Sequence, residues 1–191
     1  MVFGGGGRST FTPSPHAGAP LSGSYKEFSL HGAGDSNLED PNVEPYSMTG
    51  WVILFGGGPI AHGSQRQHSV AKDICAGETY AQSTLAAHMV LAREMVDEAS
   101  YVFPELRAVV DVPSPLYCDN SAVVLVAKDA GSAKNVPYIM RRIRFLQELQ
   151  FRGLILILPI GGKQNPADVL TKLLESYEDF KRFTFYIMND E

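Results

Sequence analysis

One junction constrains this chain more than any other. Pro115-Leu-Tyr-Cys-Asp119-Asn120 is a short apolar run that ends in an acid and an amide. Ser121–Lys128 follows at once and is apolar at helical length. Leu116, Tyr117 and Cys118 suit a buried strand, and the later run suits a helix. Asp119 therefore sits where a strand stops and a helix begins. In open α/β sheets that is where ligands gather. One carboxylate does little chemistry alone, so the question is which other acids reach it.

Candidates come from the rest of the pattern. The first 24 residues are rich in Gly, Ser and Pro, and composition makes them a disordered tail or linker. The Gly4–Gly7 run lacks the Lys-Ser/Thr ending of a phosphate-binding loop. Tyr25–Ala33 is expected to be a strand leading into Gly34-Asp35-Ser36-Asn37, with a polar turn over Ser36–Pro45. Gly50–Phe55 is the clearest strand, Gly56–Pro59 a tight turn, and Ile60–Gln67 its antiparallel return. Cys75–Val102 carries a helical period through Leu85, Met89, Ala92 and Val96, ended by Pro104. Counting back seven from Leu85 gives Glu78, placed in the first turn and on the core-facing side, where a glutamate is unusual. A second long helix is expected from about Pro137 to Phe151, with Ile139, Ile143 and Leu146 inward. Leu154–Leu158 is continuously apolar, which suggests a strand covered on both faces. Asn165 and Pro166 open a last short helix holding Asp168. The expected order is β-β-β-α-β-α-α-β-α, a hairpin first and parallel strands afterwards.

Asp35, Glu78, Asp119 and Asp168 thus stand at strand ends or helix starts. Hard divalent cations take oxygen ligands, mostly carboxylates, and paired ions can serve phosphodiester hydrolysis. Each acid also has a plainer role. Asp168 would cap its helix, Glu78 and Asp119 would favour helix starts, and Asp35 would sit in a turn.

The chain from about Phe28 to Leu174 resembles the ribonuclease H domain of copia-type (Pseudoviridae) LTR retrotransposon polyproteins. Five stretches carry the likeness: Asp35-Ser-Asn-Leu, Ser47-Met-Thr-Gly-Trp-Val with its glycine-rich ending, Ala76-Gly-Glu78-Thr-Tyr-Ala, Leu116-Tyr-Cys-Asp119-Asn120, and Asn165-Pro-Ala-Asp168-Val-Leu-Thr-Lys172. The resemblance implies an α/β ribonuclease H-like fold, a mixed five-stranded sheet in the order 3-2-1-4-5 flanked by helices. It implies a nuclease that cuts the RNA strand of RNA–DNA hybrids with two Mg²⁺ or Mn²⁺ ions, leaving a 3′-hydroxyl and a 5′-phosphate. Asp35, Glu78, Asp119 and Asp168 match its catalytic and metal-binding acids. A reverse transcriptase domain of the same element is the implied protein partner. The likeness sets a domain over residues 25–174, with an extension over 175–191. Departures are present. Asn37 and Leu38 replace the commoner Asp and Trp, Ala133-Lys-Asn-Val136 stands where a Thr-Lys-His-Ile is frequent, and the loop before Asp168 has no histidine.

Lys134, Arg141, Arg142, Arg144 and Lys163 are the candidate contacts to a hybrid's phosphates. A solvated helix face is the plainer reading of the arginines, and Trp51 and Tyr117 are read as core residues. The five histidines, His16, His31, His62, His68 and His88, have no ligand spacing and are read as structural or surface groups. Net charge is −5, so any attraction to a polyanion has to come from local patches. No apolar run approaches the ~20 residues of a membrane span. The two cysteines are expected to be reduced thiols, consistent with an intracellular setting: cytoplasmic, with a virus-like particle or the nucleus as alternatives. Two alternatives to the nuclease stand open: a remnant that folds or binds nucleic acid without cutting, and a related fold acting on another nucleic acid.

Overall fold

The computed structural model describes residues 29–37, 46–68, 70–129, 137–172 and 176–181. The expected tail over 1–24, Leu38, the Ala133–Val136 stretch with Lys134, and most of 175–191 lie outside them.

Five strands form one sheet. In chain order they are β1 (Leu30–Asn37), β2 (Met48–Phe55), β3 (Gly58–Arg66), β4 (Ser114–Cys118) and β5 (Ile155–Pro159). Their spatial order is β3-β2-β1-β4-β5, the arrangement expected of a ribonuclease H-like fold. β1, β2 and β3 are antiparallel neighbours, while β4 pairs parallel with both β1 and β5. The hairpin turns at Gly56–Gly57, as anticipated.

The first strand differs from expectation. It begins at Leu30 and runs past Ala33 to Asn37, into the start of the expected Ser36–Pro45 turn. Two glycines and the polar run Asp35-Ser36-Asn37 make a poor strand by propensity. Its central position explains it, because β1 has a hydrogen-bonded partner on each side. Gly32 also faces a closely packed helix: a Cβ there would stand 2.9 Å from both Leu85 Cδ1 and the Val52 carbonyl. A second correction concerns β5. It lies at the sheet's edge, and its burial alternates: Ile155 and Ile157 are buried, whereas Leu156, on the opposite face, is exposed. Coverage on both faces does not hold.

Helix α1 (Ile74–Ser100) follows the expected period, with Leu85, Met89, Ala92 and Val96 all buried. Asp73 caps it, its Oδ1 accepting from Ala76 N at 2.8 Å. The helix stops before Pro104, which opens a 3₁₀ turn (Pro104–Leu106) and then the short α2 (Arg107–Val110), neither anticipated. Helix α3 (Ser121–Lys128) packs with α4 (Met140–Phe151), which is preceded by a 3₁₀ turn at Pro137–Ile139. The last expected helix is a 3₁₀ segment, Pro166–Leu170.

The main core lies on the α1 side of the sheet and joins Ile53, Leu85, Met89, Leu116 and Ile157. A smaller cluster of Val52, Leu54, Tyr117, Ile160 and Ala167 seats the Pro166–Leu170 segment. Trp51 and Tyr117 are buried, consistent with core roles.

Candidate metal centre

Asp35 lies in the middle strand and is almost wholly buried. Thr171 Oγ1 donates to its Oδ2. A turn role for Asp35 is thereby excluded. Glu78 sits beyond the first turn of α1, in which no acid stands, so the dipole of the helix start does not account for it. Its Oε1 accepts from Ser36 N at 3.2 Å and Ser36 Oγ at 3.4 Å. Its Oε2 is buried and has no hydrogen-bond partner.

Asp119 follows β4 directly and is half-buried. The residue that caps α3 is its neighbour Asn120, whose Oδ1 accepts from Ala122 N at 3.0 Å and Val123 N at 3.3 Å. Asp119 is left free to face the sheet's end. Asp168 is likewise relieved of capping by Asn165, whose Oδ1 accepts from Ala167 N at 3.1 Å. It pairs instead with Lys172, Nζ to Oδ1 at 3.1 Å.

The structure brings the four acids together. One oxygen each from Asp35, Asp119 and Asp168 lies within 4.8 Å of the others, and Glu78 and Asp119 approach within the same limit. The electrostatic consequences follow from crowding. Burial, and then the charges of Asp35 and Asp119, push the Glu78 carboxyl up to about 9. Burial and Asp35 push Asp168 up to about 6 against the opposing pull of Lys172. Asp119 is raised by burial and by Asp35. Such a cluster is short of positive charge. With the orphaned Glu78 oxygen and an all-carboxylate donor set, it fits a hard divalent cation.

Three supporting residues were not legible as such. Gln82 lies one turn after Glu78, wholly buried, and its Nε2 donates to the carbonyls of Gly34 at 3.2 Å and Tyr117 at 3.0 Å. It ties α1 to the two strands that carry Asp35 and Asp119. Asn165 Nδ2 donates to the Gly34 carbonyl at 3.1 Å, and Thr171 holds Asp35. The available signal was an amide on the apolar face of α1.

The basic candidates divide. Arg141 and Arg144 are exposed on α4, Arg144 with a 3.3 Å bond to Gln147. Arg142 instead turns inward, its guanidinium 3.9 Å over the Tyr80 ring and donating to Ser83 Oγ at 2.7 Å. Lys163 is exposed in a 3₁₀ turn (Gly162–Gln164), where a loop is expected from sequence; a Cβ on its neighbour Gly162 would stand 3.4 Å from Asp119 Oδ2. Among the histidines, His31 is buried, with its proton affinity lowered to about 4, and His88 stacks on Trp51 at 4.1 Å.

A sheet in the order β3-β2-β1-β4-β5 with an acid on its middle strand is the ribonuclease H fold. The chain is similar to a ribonuclease H1 isolated from compost by a metagenomic approach, at 16% identity and a TM-score of 0.52, covering 75% of this chain and 92% of that one. It is also similar to the N-terminal ribonuclease H domain of a Mycobacterium tuberculosis protein, solved as a fusion with maltose-binding protein, at 14% identity and a TM-score of 0.50, covering 75% and 91%. In sequence it is 24% identical over 145 residues to the Retrovirus-related Pol polyprotein from transposon TNT 1-94 of Nicotiana tabacum, covering 76% of this chain. The chain spans about a tenth of that curated relative's length, 10%. No family model matches the chain. These likenesses show a ribonuclease H fold and a sequence similarity to a retrotransposon Pol polyprotein.

Proposed function

We propose that this chain is a metal-dependent endonuclease that hydrolyses the RNA strand of RNA–DNA hybrids within the copying machinery of a copia-type element. The observation that carries this reading is the convergence of Asp35, Glu78, Asp119 and Asp168 from β1, α1, the end of β4 and the closing 3₁₀ segment. Capping is done by the neighbours Asn120 and Asn165 rather than by Asp119 and Asp168.

In this reading the four carboxylates hold two Mg²⁺ or Mn²⁺ ions. When bound, such ions would supply Lewis-acid activation of water and charge stabilisation for the leaving oxygen. The chain's own residues orient the site. Thr171 fixes Asp35, Ser36 fixes one oxygen of Glu78 and leaves the other open, and Gln82 holds α1 against the strand ends. Lys172 offsets the charge of Asp168. Arg141, Arg144 and Lys163 are the exposed cations for phosphate contact, and Lys134 joins them as a sequence-based candidate. A reverse transcriptase domain of the same polyprotein is the proposed partner.

The test is cleavage of hybrid, duplex RNA and duplex DNA with Mg²⁺. Hybrid alone should be cut, and only in its RNA strand. Asp119→Asn keeps the shape and removes one negative charge, so cleavage should slow at least about 10³-fold, roughly 4 kcal/mol in the barrier. Hybrid binding should survive. Binding without cutting in the unsubstituted protein would instead identify an inactive remnant.

A further inference from the structure

Beside the carboxylates lies a donor of different chemistry. Cys118 ends β4, one residue before Asp119, and is wholly buried. One donor atom from each of Glu78, Cys118 and Asp119 lies within 4.8 Å of the other two. Sulfur is a soft donor, and thiolate selects zinc-like cations over magnesium. A set of one sulfur and two carboxylate oxygens therefore suits a borderline or thiophilic ion better than a hard one.

Two features of this corner point to a ligand. Glu78 is 4% exposed, its Oε1 is held by Ser36, and its Oε2 is buried without a partner. The Cys118 thiol makes one long contact, 3.7 Å to the Asn120 carbonyl. A thiol is a weak donor, so little is lost when that contact is given up. Asp119, the third donor, is only half-buried.

We propose that Glu78, Cys118 and Asp119 form a thiophilic cation subsite inside the carboxylate cluster, where Zn²⁺ or Cd²⁺ binds and competes with Mg²⁺. The ligand is the thiolate, so the thiol proton leaves to solvent as the ion enters. Such an ion takes two of the four acids out of use and acts as an inhibitor. The inference rests on reading the cluster as a metal centre and goes beyond it in the choice of ion.

Cd²⁺ is the probe, because its thiolate complex has an ultraviolet charge-transfer band. The full chain holds two cysteines, so the band can be assigned. Titrating metal-free protein should give a band that saturates at one equivalent. Cys75→Ser, which removes the other thiol, should leave it in place. Cys118→Ser should abolish it. Glu78→Gln should weaken Cd²⁺ binding at least about tenfold, and excess Mg²⁺ should raise the apparent Cd²⁺ dissociation constant. A band that survives in Cys118→Ser, an affinity unmoved in Glu78→Gln, or no competition from Mg²⁺ would overturn the subsite. If Cys118→Ser fails to fold by circular dichroism, the Glu78→Gln titration and the Mg²⁺ competition decide. Hybrid cleavage is scored separately. Cd²⁺ bound as described with no cleavage in Mg²⁺ sinks the nuclease and leaves the subsite standing, while cleavage without a band does the reverse.

Discussion

Glu78 concentrates the electrostatic cost of the carboxylate cluster. Its carboxyl is pushed from an ordinary 4.5 to about 9 by burial and by its acidic neighbours, and Asp168 from 3.8 to about 6. The unfolded chain releases both protons near the ordinary values, and the folded chain keeps them longer. Between those limits the folded state binds more protons, so its stability falls as pH rises. Thermal melts in chelator should therefore show a falling midpoint from about pH 5 to about pH 8, and Glu78→Gln should flatten the curve. A profile that rises over that range would contradict the crowding of the acids. Thr171→Val tests the other end of the cluster. It keeps the side chain's shape and leaves the buried Asp35 carboxylate without its donor. The expected loss is about 1–3 kcal/mol by urea unfolding. Local pattern singled out the four acids: strand ends gave Asp35 and Asp119, the helical period gave Glu78, and the Asn165-Pro166 start gave Asp168. Their partners were not legible in the sequence. Ser36, Gln82 and Thr171 act across 42, 48 and 136 residues of chain, and no local pattern records such pairings.

At the level of elements, α4 separates what its sequence runs together. Arg141, Arg142 and Arg144 form one basic stretch, but successive residues point about 100° apart around a helix. Which of them faces α1 is set by packing, with Ile143, Leu146 and Leu149 buried. Arg142 is the one that turns in, over Tyr80 and onto Ser83. Arg142→Ala should therefore cost about 1–2 kcal/mol of stability, from a lost cation–π contact and a lost hydrogen bond, and leave the salt dependence of hybrid binding alone. Arg141→Ala and Arg144→Ala should change stability by no more than about 0.5 kcal/mol. Each should lower the slope of log affinity against log salt by about one. An unchanged slope in the double variant would move the phosphate contact elsewhere. The two corrected strands teach the same lesson about context. β1 is central and tolerates glycines because α1 presses on it, and β5 is an edge although its composition suggested cover on both faces. Apolar pattern and turn residues placed both strands, but their neighbours in the sheet decided how they were buried.

On the scale of the whole molecule, the centre is closed by the last segment of the described core. Asn165–Lys172 lies against β1 and β2 and reaches β3, with Asn165 on the Gly34 carbonyl, Thr171 on Asp35, and Ser64 Oγ donating to the Leu170 carbonyl at 2.5 Å. The fourth acid arrives with it. Gly50, paired with Asp35 across the β1–β2 ladder, makes the docking possible. A Cβ there would stand 2.7 Å from Thr171 Cγ2, 2.8 Å from Leu170 Cβ and 3.0 Å from the Ala167 carbonyl. No rotamer change clears all three, because two of the atoms are a backbone oxygen and a Cβ. Gly50→Ala should therefore lift the segment, displacing Asp168 and Thr171 together. The expected cost is about 1–3 kcal/mol of stability, as for other overpacked positions. A bound ion stabilises the folded state in proportion to its affinity, so Mg²⁺ should raise the melting midpoint of the unsubstituted protein. That rise should grow with pH, since protons and metal compete for the same carboxylates. In Gly50→Ala the rise should be largely gone and hybrid cleavage should fall with it. Gly58→Ala is the matched control, because a Cβ there meets nothing within 4 Å. If Gly50→Ala keeps the full Mg²⁺-induced shift, the closing segment is not part of the metal centre, and Asp168 loses its assigned role.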